Sequence, residues 1–320
     1  MPSQPDSPLH PNRRLKAELW LLVMTFFWGT TFIAIKLSLV EISPMFYVAV
    51  RFFVASAIYI AVFNTRLFPV NRLLLKAAWP VCLLLFAGYF FQTLGLRYTS
   101  AAKSGFITGL YVIFTPLLQM LITRRPPPRA VWLASVLVLI GLQLLSSGSS
   151  AAISWQTFIP GFALADFNLG DFFTLLCAIL YALYIIGLDR LTQSDLAAEP
   201  NFTLKLGFLQ LLFCTAGGLL FSAAFERIYF TPSPLVIGLL FYIAVFATLI
   251  TTLIQTRYQR DTTPARAAVI FMLEALFSAV LAYFILGETL GAAGYIGAGI
   301  MFAGFGVIVF DAYRSNSLSK

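Results

Sequence analysis

Glu274 is an acidic residue in the middle of a long apolar segment. It lies about ten residues into the segment 264–286, or roughly 15 Å along a helix that rises 1.5 Å per residue. A charge at this depth in a bilayer costs about 2.5–3.5 kcal/mol on insertion scales. Such a carboxyl group can carry a proton or balance the charge of a cationic substrate. The structural alternative is an ion pair with Lys36 or Arg51.

Two stripes of side chains surround this carboxyl group and its counterpart, Tyr111. In each stripe the positions are three, four and four residues apart, which places them on one face of a helix. The first stripe comprises Thr108, Tyr111, Thr115 and Gln119, and the second comprises Phe271, Glu274, Ser278 and Ala282. Together they predict a polar cavity between two helices. The alternative is that Thr and Ser bond their own helix backbone and that Gln tightens helix packing.

A cation and two aromatic residues share one face of the first apolar segment. Trp28, Phe32 and Lys36 follow at intervals of four residues, so they would form an aromatic wall that carries one positive charge. The alternative for Lys36 is that its long side chain reaches the outer membrane interface.

Arg51 lies about seven residues into the second apolar segment, roughly 10 Å deep, which is too far for its side chain to reach water easily. We expect an ion pair with Glu41 or Glu274, and direct contact with a substrate carboxylate is the second interpretation. Gln92 and Gln255 stand near the ends of their segments, where we expect them to bond helix ends or to act as gates.

The composition determines the class of protein in which these residues must work. Of 320 residues, 60% are apolar and 11% are charged, whereas a soluble domain carries about 25% charged residues. This excludes a soluble enzyme, a disordered chain and a disulfide scaffold. The net charge of +8 comes from Lys and Arg in short gaps between apolar runs, which argues against a nucleic-acid partner. The cysteines are isolated and the single His lies in the N-terminal tail, so we expect no metal and no cofactor.

Ten segments are long and apolar enough to cross a bilayer, which needs roughly 20 residues. They cover 17–38, 44–63, 76–96, 103–123, 129–147, 170–188, 203–225, 234–256, 264–286 and 291–311. Sixteen Lys and Arg fall on one side of these spans and three on the other, which predicts that both termini are cytoplasmic. Residues 1–16 and 312–320 would be cytoplasmic tails, and 148–169 an extracytoplasmic linker.

The chain repeats itself at an interval of 163 residues. Gln92, Arg97 and Thr99 find identical residues at Gln255, Arg260 and Thr262, and further matches continue along the same register. Chance agreement explains aliphatic matches more easily than it explains these polar ones. Because each repeat holds five spans, an odd number, the two halves are expected to be inverted relative to each other. Inverted halves of this kind are common in secondary transporters.

Several short motifs resemble one known family. Trp28-Gly29-Thr30-Thr31-Phe32 and Leu96-Arg97-Tyr98-Thr99-Ser100-Ala101-Ala102 resemble parts of an EamA domain of the drug/metabolite transporter superfamily. Leu273-Glu274-Ala275 and Leu286-Gly287-Glu288 resemble its closing helices. The resemblance covers 17–147 and 170–311 as two tandem domains. It implies ten helices, a plasma (bacterial inner) membrane location, and transport of small metabolites, often amino acids, outward.

These observations predict an all-α polytopic membrane protein with ten transmembrane helices in two inverted five-helix repeats. The expected function is secondary transport of small metabolites, zwitterionic or aromatic, by alternating access around a mid-membrane cavity. A channel or facilitator without ion coupling is the alternative, and an intramembrane enzyme is less expected. The expected partners are the small-molecule substrate and the lipid bilayer. The glycine-rich last helix also suits packing against a second copy of the chain.

Overall fold

The computed structural model describes residues 11–99, 101–124, 126–146, 168–286 and 291–317. Within these ranges the regular structure is helical, apart from one isolated bridge between Ile42 and Phe230. The linker expected over 148–169 lies outside the described residues except for its last two positions. The first helix already begins at Pro11 and the last one continues to Ser317, so helix extends into both of the expected tails.

Fourteen helices follow one another in the described residues. The first half of the chain contains α1 (Pro11–Gly29), α2 (Thr31–Glu41), α3 (Pro44–Phe63), α4 (Arg72–Tyr98), α5 (Ala101–Gly109), α6 (Tyr111–Thr123) and α7 (Arg129–Ser146). The second half contains α8 (Leu169–Thr192), α9 (Phe202–Phe225), α10 (Pro234–Ala244), α11 (Thr251–Tyr258), α12 (Pro264–Phe271), α13 (Leu273–Leu286) and α14 (Ala292–Ser317). A π-helical turn, Val245–Ile250, joins α10 to α11.

Eight helices of the described chain are long and apolar enough to cross a membrane. The segments are Pro44–Leu67, Arg72–Tyr98, Ser104–Thr123, Leu169–Thr192, Phe202–Phe225, Pro234–Asp261, Pro264–Leu281 and Ala292–Asp311. A ninth is present if α1 and α2 form one span, because the two are bent by 41° at the break between them. The expected fifth span is a shorter apolar helix, Arg129–Leu145. An all-helical, multi-span architecture is therefore confirmed for the described residues, with eight candidate spans, or nine if the bent pair is one span. The ten expected spans stay a prediction.

Two of the spans break at equivalent points of the chain. The α5–α6 break falls at Leu110 and the α12–α13 break at Met272, and a shift of 163 residues carries Leu110 onto Leu273. At both breaks the backbone tightens, with bonds from Ile113 N–H to the Leu110 carbonyl and from Ala275 N–H to the Met272 carbonyl. The breaks place Tyr111 and Glu274 in the first turns of α6 and α13.

Helices of the first half pack mainly against helices of the second. Helix α3 lies along α9, α4 along α8, α7 along α14, and α1 against α11, α12 and α13. Gly29 allows the last approach, because a Cβ at this position would lie 2.7 Å from the Glu274 carbonyl oxygen. Gly141 and Gly297 do the same between α7 and α14, where each would place a Cβ against the other's carbonyl. Small residues of this kind let helix backbones meet closely in membranes.

Part of the glycine-rich last helix is thus used within the chain. Gly297 and Gly304 face α7, whereas a Cβ at Gly299 or Gly306 would meet no described atom within 4 Å. A homodimer through this helix remains a prediction.

Two glutamates connect the halves at the end of the bundle that holds the 41–46 and 226–233 segments. The Glu226 carboxylate, at the end of α9, accepts the backbone N–H groups of Met45 and Phe46 at the start of α3. In return, the Glu41 carboxylate accepts the N–H and hydroxyl of Ser233, which precedes α10. Each half thereby satisfies the free N–H groups at a helix start of the other.

Candidate functional site

A cavity of about 50 Å³ lies among helices of both halves. Its wall consists of Trp28, Thr31, Ile35, Arg51, Leu85, Tyr89, Gln92, Thr108, Tyr111, Tyr181, Tyr184, Ile185, Gln255, Phe271 and Glu274. This volume is enough for a few water molecules, whereas an apolar cavity that holds benzene measures about 150 Å³. The helices must therefore part before a larger solute can occupy the site.

The structure brings seven of the eleven candidate residues together in this wall. They are Trp28, Arg51, Gln92, Thr108, Tyr111, Gln255 and Glu274. The other four, Lys36, Thr115, Gln119 and Ser278, lie outside it. Only the first two positions of each helical stripe therefore line the cavity. They are Thr108 and Tyr111 in one stripe and Phe271 and Glu274 in the other.

Arg51 is almost fully buried in the wall, with 3% of its surface exposed. The ion pair expected with Glu41 or Glu274 is wrong, since no carboxylate of the described residues lies within 4.0 Å of this guanidinium. Instead, Arg51 Nε donates to Thr248 Oγ1 at 2.6 Å, and Nη2 donates to the Ala247 carbonyl at 3.0 Å. The physical reason is the π-helical turn, which offers a hydroxyl and a carbonyl to a cation that no sequence pattern pairs with them.

Glu274 also has no ion-pair partner within the described part of the chain. Its backbone is held close to α1 by the contact at Gly29, and its side chain lines the cavity. The expected alternative of a structural ion pair with Lys36 or Arg51 is therefore wrong in this structure. The carboxyl group and the Arg51 guanidinium are two ionisable groups on one cavity wall that do not pair with each other.

Aromatic rings form much of the remaining wall. Trp28 meets Phe271 edge to face, with ring centroids 5.3 Å apart, and Tyr89 meets Tyr181 at 5.7 Å. The Arg51 guanidinium lies 5.1 Å from the centre of the Tyr89 ring. Sequence reasoning did not select the α8 tyrosines, although Tyr181 and Tyr184 stand three residues apart in an apolar span and so share a helix face.

A chain of buried amides borders the cavity on the side of α8, α9 and α11. Tyr184 donates to Gln210 Oε1 at 2.6 Å, and Gln210 Nε2 donates to Thr256 Oγ1 at 3.1 Å. Gln255 Nε2 donates to Gln259 Oε1 at 2.9 Å. Gln255 thus bonds a side chain one turn later, and its expected role as a helix-end bond or a gate stays a prediction. Gln92 has a longer contact, accepting from the Tyr181 hydroxyl at 3.4 Å.

Lys36 caps a helix. Its Nζ donates to the carbonyls of Leu96 and Thr99, at 2.7 and 3.0 Å, at the end of α4. Neither interpretation of Lys36 named this contact. The end of α4 is on the expected outer side, so the reach to the outer interface stays a prediction. The aromatic wall also stays a prediction, because the Phe32 side chain lies outside the described atoms. A cation at a helix C-terminus satisfies carbonyls that lack partners inside the helix.

The three remaining candidates lie away from the cavity wall. Thr115 donates to the Tyr111 carbonyl in its own helix at 2.7 Å, as the structural alternative predicted. Ser278 lies in the backbone stretch of α13 that approaches Gly29. Gln119 Oε1 is buried without a hydrogen-bond partner among the described residues.

Threonines related by the repeat each bond a carboxylate from the other half. Thr262 donates to Glu18 Oε1 at 3.1 Å, and Thr99 donates to Asp171 Oδ1 at 2.7 Å. Buried Arg266 strengthens the first contact through bonds to Glu18 at 2.8 Å and Asp311 at 3.0 Å. Glu18 and Asp171 were missed in the sequence, where the matching Thr99 and Thr262 were the available signal.

The fold and the cavity define a multi-pass membrane protein whose polar interior is enclosed by both halves of the chain. The chain belongs to the EamA-like transporter family, whose model matches residues 15–147 and 168–310. The family resemblance predicted from the sequence is thereby confirmed, and the protein is a membrane transporter of this family.

Two similar proteins are also named as transporters. An "Uncharacterized transporter" of Archaeoglobus fulgidus is 29% identical over 286 residues, which are 89% of this chain and 83% of that protein. "Uncharacterized transporter YwfM" of Bacillus subtilis is 23% identical over 304 residues, covering 91% and 93%. A solved crystal structure superposes with a TM-score of 0.71 at 17% identity, covering 94% of this chain and 98% of that one, which shows a shared fold.

Proposed function

We propose that this protein is a secondary transporter that exports small metabolites, zwitterionic or aromatic, by alternating access. The observation that carries the proposal is the cavity, because its polar wall is built by helices from both family-matched repeats. A site between two repeats changes its accessible side when the repeats rock against each other. The small volume of the cavity is consistent with a site that opens only during such a movement.

The inverted-repeat arrangement is supported by which helices pack together. When α1 and α2 are counted as the first span, the third span (α4) packs on the sixth (α8), and the eighth span (α10 and α11) packs on the first. The second span (α3) packs on the seventh (α9), and the fifth (α7) packs on the tenth (α14). This pattern is unchanged when the two halves are exchanged, and the breaks at Leu110 and Met272 lie within one residue of the same relation. We therefore retain ten spans, in two inverted sets of five, as part of the proposal.

The cavity wall supports the solute class. Arg51 supplies a cation, Glu274 supplies a carboxyl group, and Trp28, Tyr89 and Tyr181 supply ring surfaces. A zwitterion offers both opposite charges, and an aromatic side chain adds ring contacts. The excess of Lys and Arg on one side of the spans supports cytoplasmic termini in the bacterial inner membrane.

Flux into proteoliposomes tests the proposal. We expect uptake of radiolabelled amino acids or related solutes that saturates with concentration and accelerates when unlabelled solute is placed on the other side. The E274Q variant should insert and fold normally but lose at least about ten-fold in rate or lose its dependence on pH. The D195N variant, which changes an exposed carboxylate far along the chain, serves as the matched control. A flux that rises linearly without exchange would indicate a channel, and normal E274Q transport over a wide pH range would make Glu274 structural.

A further inference from the structure

Arg51 is a buried cation without an anionic partner in the described chain. A buried unpaired charge is costly, and ring faces offset only part of that cost. The faces present are those of Tyr89 and Phe52, whose centres lie 5.1 and 5.5 Å from the guanidinium carbon. A guanidinium has five N–H donors. Two of them bond to the π-helical turn between α10 and α11. Three donors therefore remain for another partner.

The π-helical turn Val245–Ile250 holds this guanidinium from one side. Thr248 donates its hydroxyl to the Ile243 carbonyl, five residues earlier, at 2.9 Å, and accepts from Arg51 Nε with the same oxygen. The Ala247 carbonyl fixes Nη2. Short π-helical turns occur frequently at functional sites. Because both partners are neutral, they orient the cation without cancelling its charge.

Other groups of the cavity wall also lack an acceptor. The indole Nε1 of Trp28, which can only donate, and the hydroxyl of Tyr111 are buried without hydrogen-bond partners among the described residues. The one acidic group in the wall is Glu274, which makes no ion pair with Arg51. The donors left over on Arg51 and the indole N–H of Trp28 thus face one cavity, where a ligand with acceptor oxygens would pair them.

We infer that Arg51 is the anchor for a carboxylate of the transported solute, and that Thr248 positions it. A carboxylate has two acceptor oxygens in one plane, which match the planar donor pair of a guanidinium. The inference rests on the proposed function and deepens it: the solutes are carboxylates, with amino acids as the zwitterionic case whose ammonium group is balanced by Glu274. Thr248 acts through Arg51 and does not itself contact the solute.

Matched acids and amides test this anchor on the purified full-length protein. The probes are benzoate against benzamide, and phenylalanine against phenylalaninamide, each titrated while the unfolding temperature is recorded. We expect the acids, and not the uncharged or cationic amides, to raise the unfolding temperature of the unmodified protein. R51Q should lose this response, weakening apparent acid affinity at least about ten-fold, and R51K should restore only part of it.

T248V keeps the cation and removes the hydroxyl that orients it. We expect the affinity for the acids to fall about three- to ten-fold, while the acids still bind better than their amides. T215V is its control, since Thr215 is another buried threonine that bonds its own helix carbonyl at Leu211 and does not line the cavity. If R51Q does not fold, the acid affinities of T248V and T215V are compared instead. A loss in T248V alone supports the anchor, and equal affinities contradict it.

Three results would overturn the anchor: equal response to acids and amides, an acid response that survives R51Q, or no response to any acid. Flux measurements separate this failure from failure of the proposed function. Saturable transport of amines or amides without Arg51-dependent acid binding would keep the transporter and remove the anchor. Acid binding that depends on Arg51, without flux of any probe, would keep the anchor and contradict the transporter.

Discussion

Arg51, which is buried, and Lys36, which is partly buried, bond to a π-helical turn and to a helix end rather than to acidic residues. Arg51 bonds the π-helical turn, and Lys36 bonds the carbonyls at the end of α4. Backbone groups left unpaired at helix ends and turns are strong acceptors inside a bundle. Neither side chain forms an ion pair with Glu274, whose carboxyl group lines the cavity.

Removal of the Lys36 cap should destabilise the protein without abolishing transport. In K36M, two charge-assisted hydrogen bonds are lost, and such bonds contribute about 1.5–3 kcal/mol each at most. We expect a lower midpoint of unfolding in a denaturant titration and transport close to normal at a permissive temperature. K76M, which changes an exposed lysine, is the control. Normal stability combined with lost transport would contradict the capping role and would indicate that Lys36 acts in the solute pathway.

At this scale the sequence predicts which residues are unusual better than it predicts their partners. Helical spacing was sufficient to select Thr108, Tyr111 and Glu274, because period and depth are properties of the chain itself. It could not give the partner of Arg51, since Thr248 is 197 residues away and its geometry depends on a π-helical turn. Tyr181 was missed because a tyrosine in an apolar span has no distinctive spacing of its own.

At the scale of helices, close backbone contacts determine where the halves can touch. Helix α1 reaches α13 at Gly29, directly beside the backbone of Glu274. Helix breaks at Leu110 and Met272 place the two stripe residues at the starts of their second segments. Pro116 lies inside α6, six residues after the break at Leu110, and the ninth span breaks with no proline nearer than Pro264 at the start of α12.

A methyl group at Gly29 should separate α1 from α13. In G29A the added Cβ would lie 2.7 Å from both the Glu274 carbonyl oxygen and the Phe277 Cβ. Overpacking of this kind costs about 1–3 kcal/mol, and we expect a lower unfolding temperature together with reduced transport. G238A is the control, because a Cβ at Gly238 would meet no described atom within 4 Å. Equal unfolding temperatures for the two variants would mean that α1 and α13 are farther apart than described.

The reciprocal glutamate caps should each contribute to stability. Removal of a helix N-cap costs about 0.5–2 kcal/mol, so E226A and E41A should each lower the unfolding midpoint by a comparable amount. Because both caps join the same two segments, the double variant should lose less than the sum of the single losses. D195A, an exposed acidic position, controls for the change in charge. Single variants as stable as D195A would show that the caps do not hold the halves together.

At the scale of the whole molecule, the two halves are interwoven rather than placed side by side, since each main helix contact joins one half to the other. Composition and hydropathy were enough to predict an all-helical membrane bundle, and the resemblance of its short motifs predicted the family. They could not predict that the first span bends by 41° at the break between α1 and α2. The Thr99–Asp171 and Thr262–Glu18 contacts, related by the repeat, each join one half to the other.

Access to the cavity from the two sides of the membrane is the most direct measurement of this mechanism. The native Cys82, Cys177 and Cys214 are first replaced, and Y111C is then exposed to a membrane-impermeant thiol reagent on one side of the membrane at a time, in oriented vesicles. Alternating access predicts that the cavity position reacts from either side, at rates that solute changes in opposite directions. Reaction from one side only, or from neither, would contradict it.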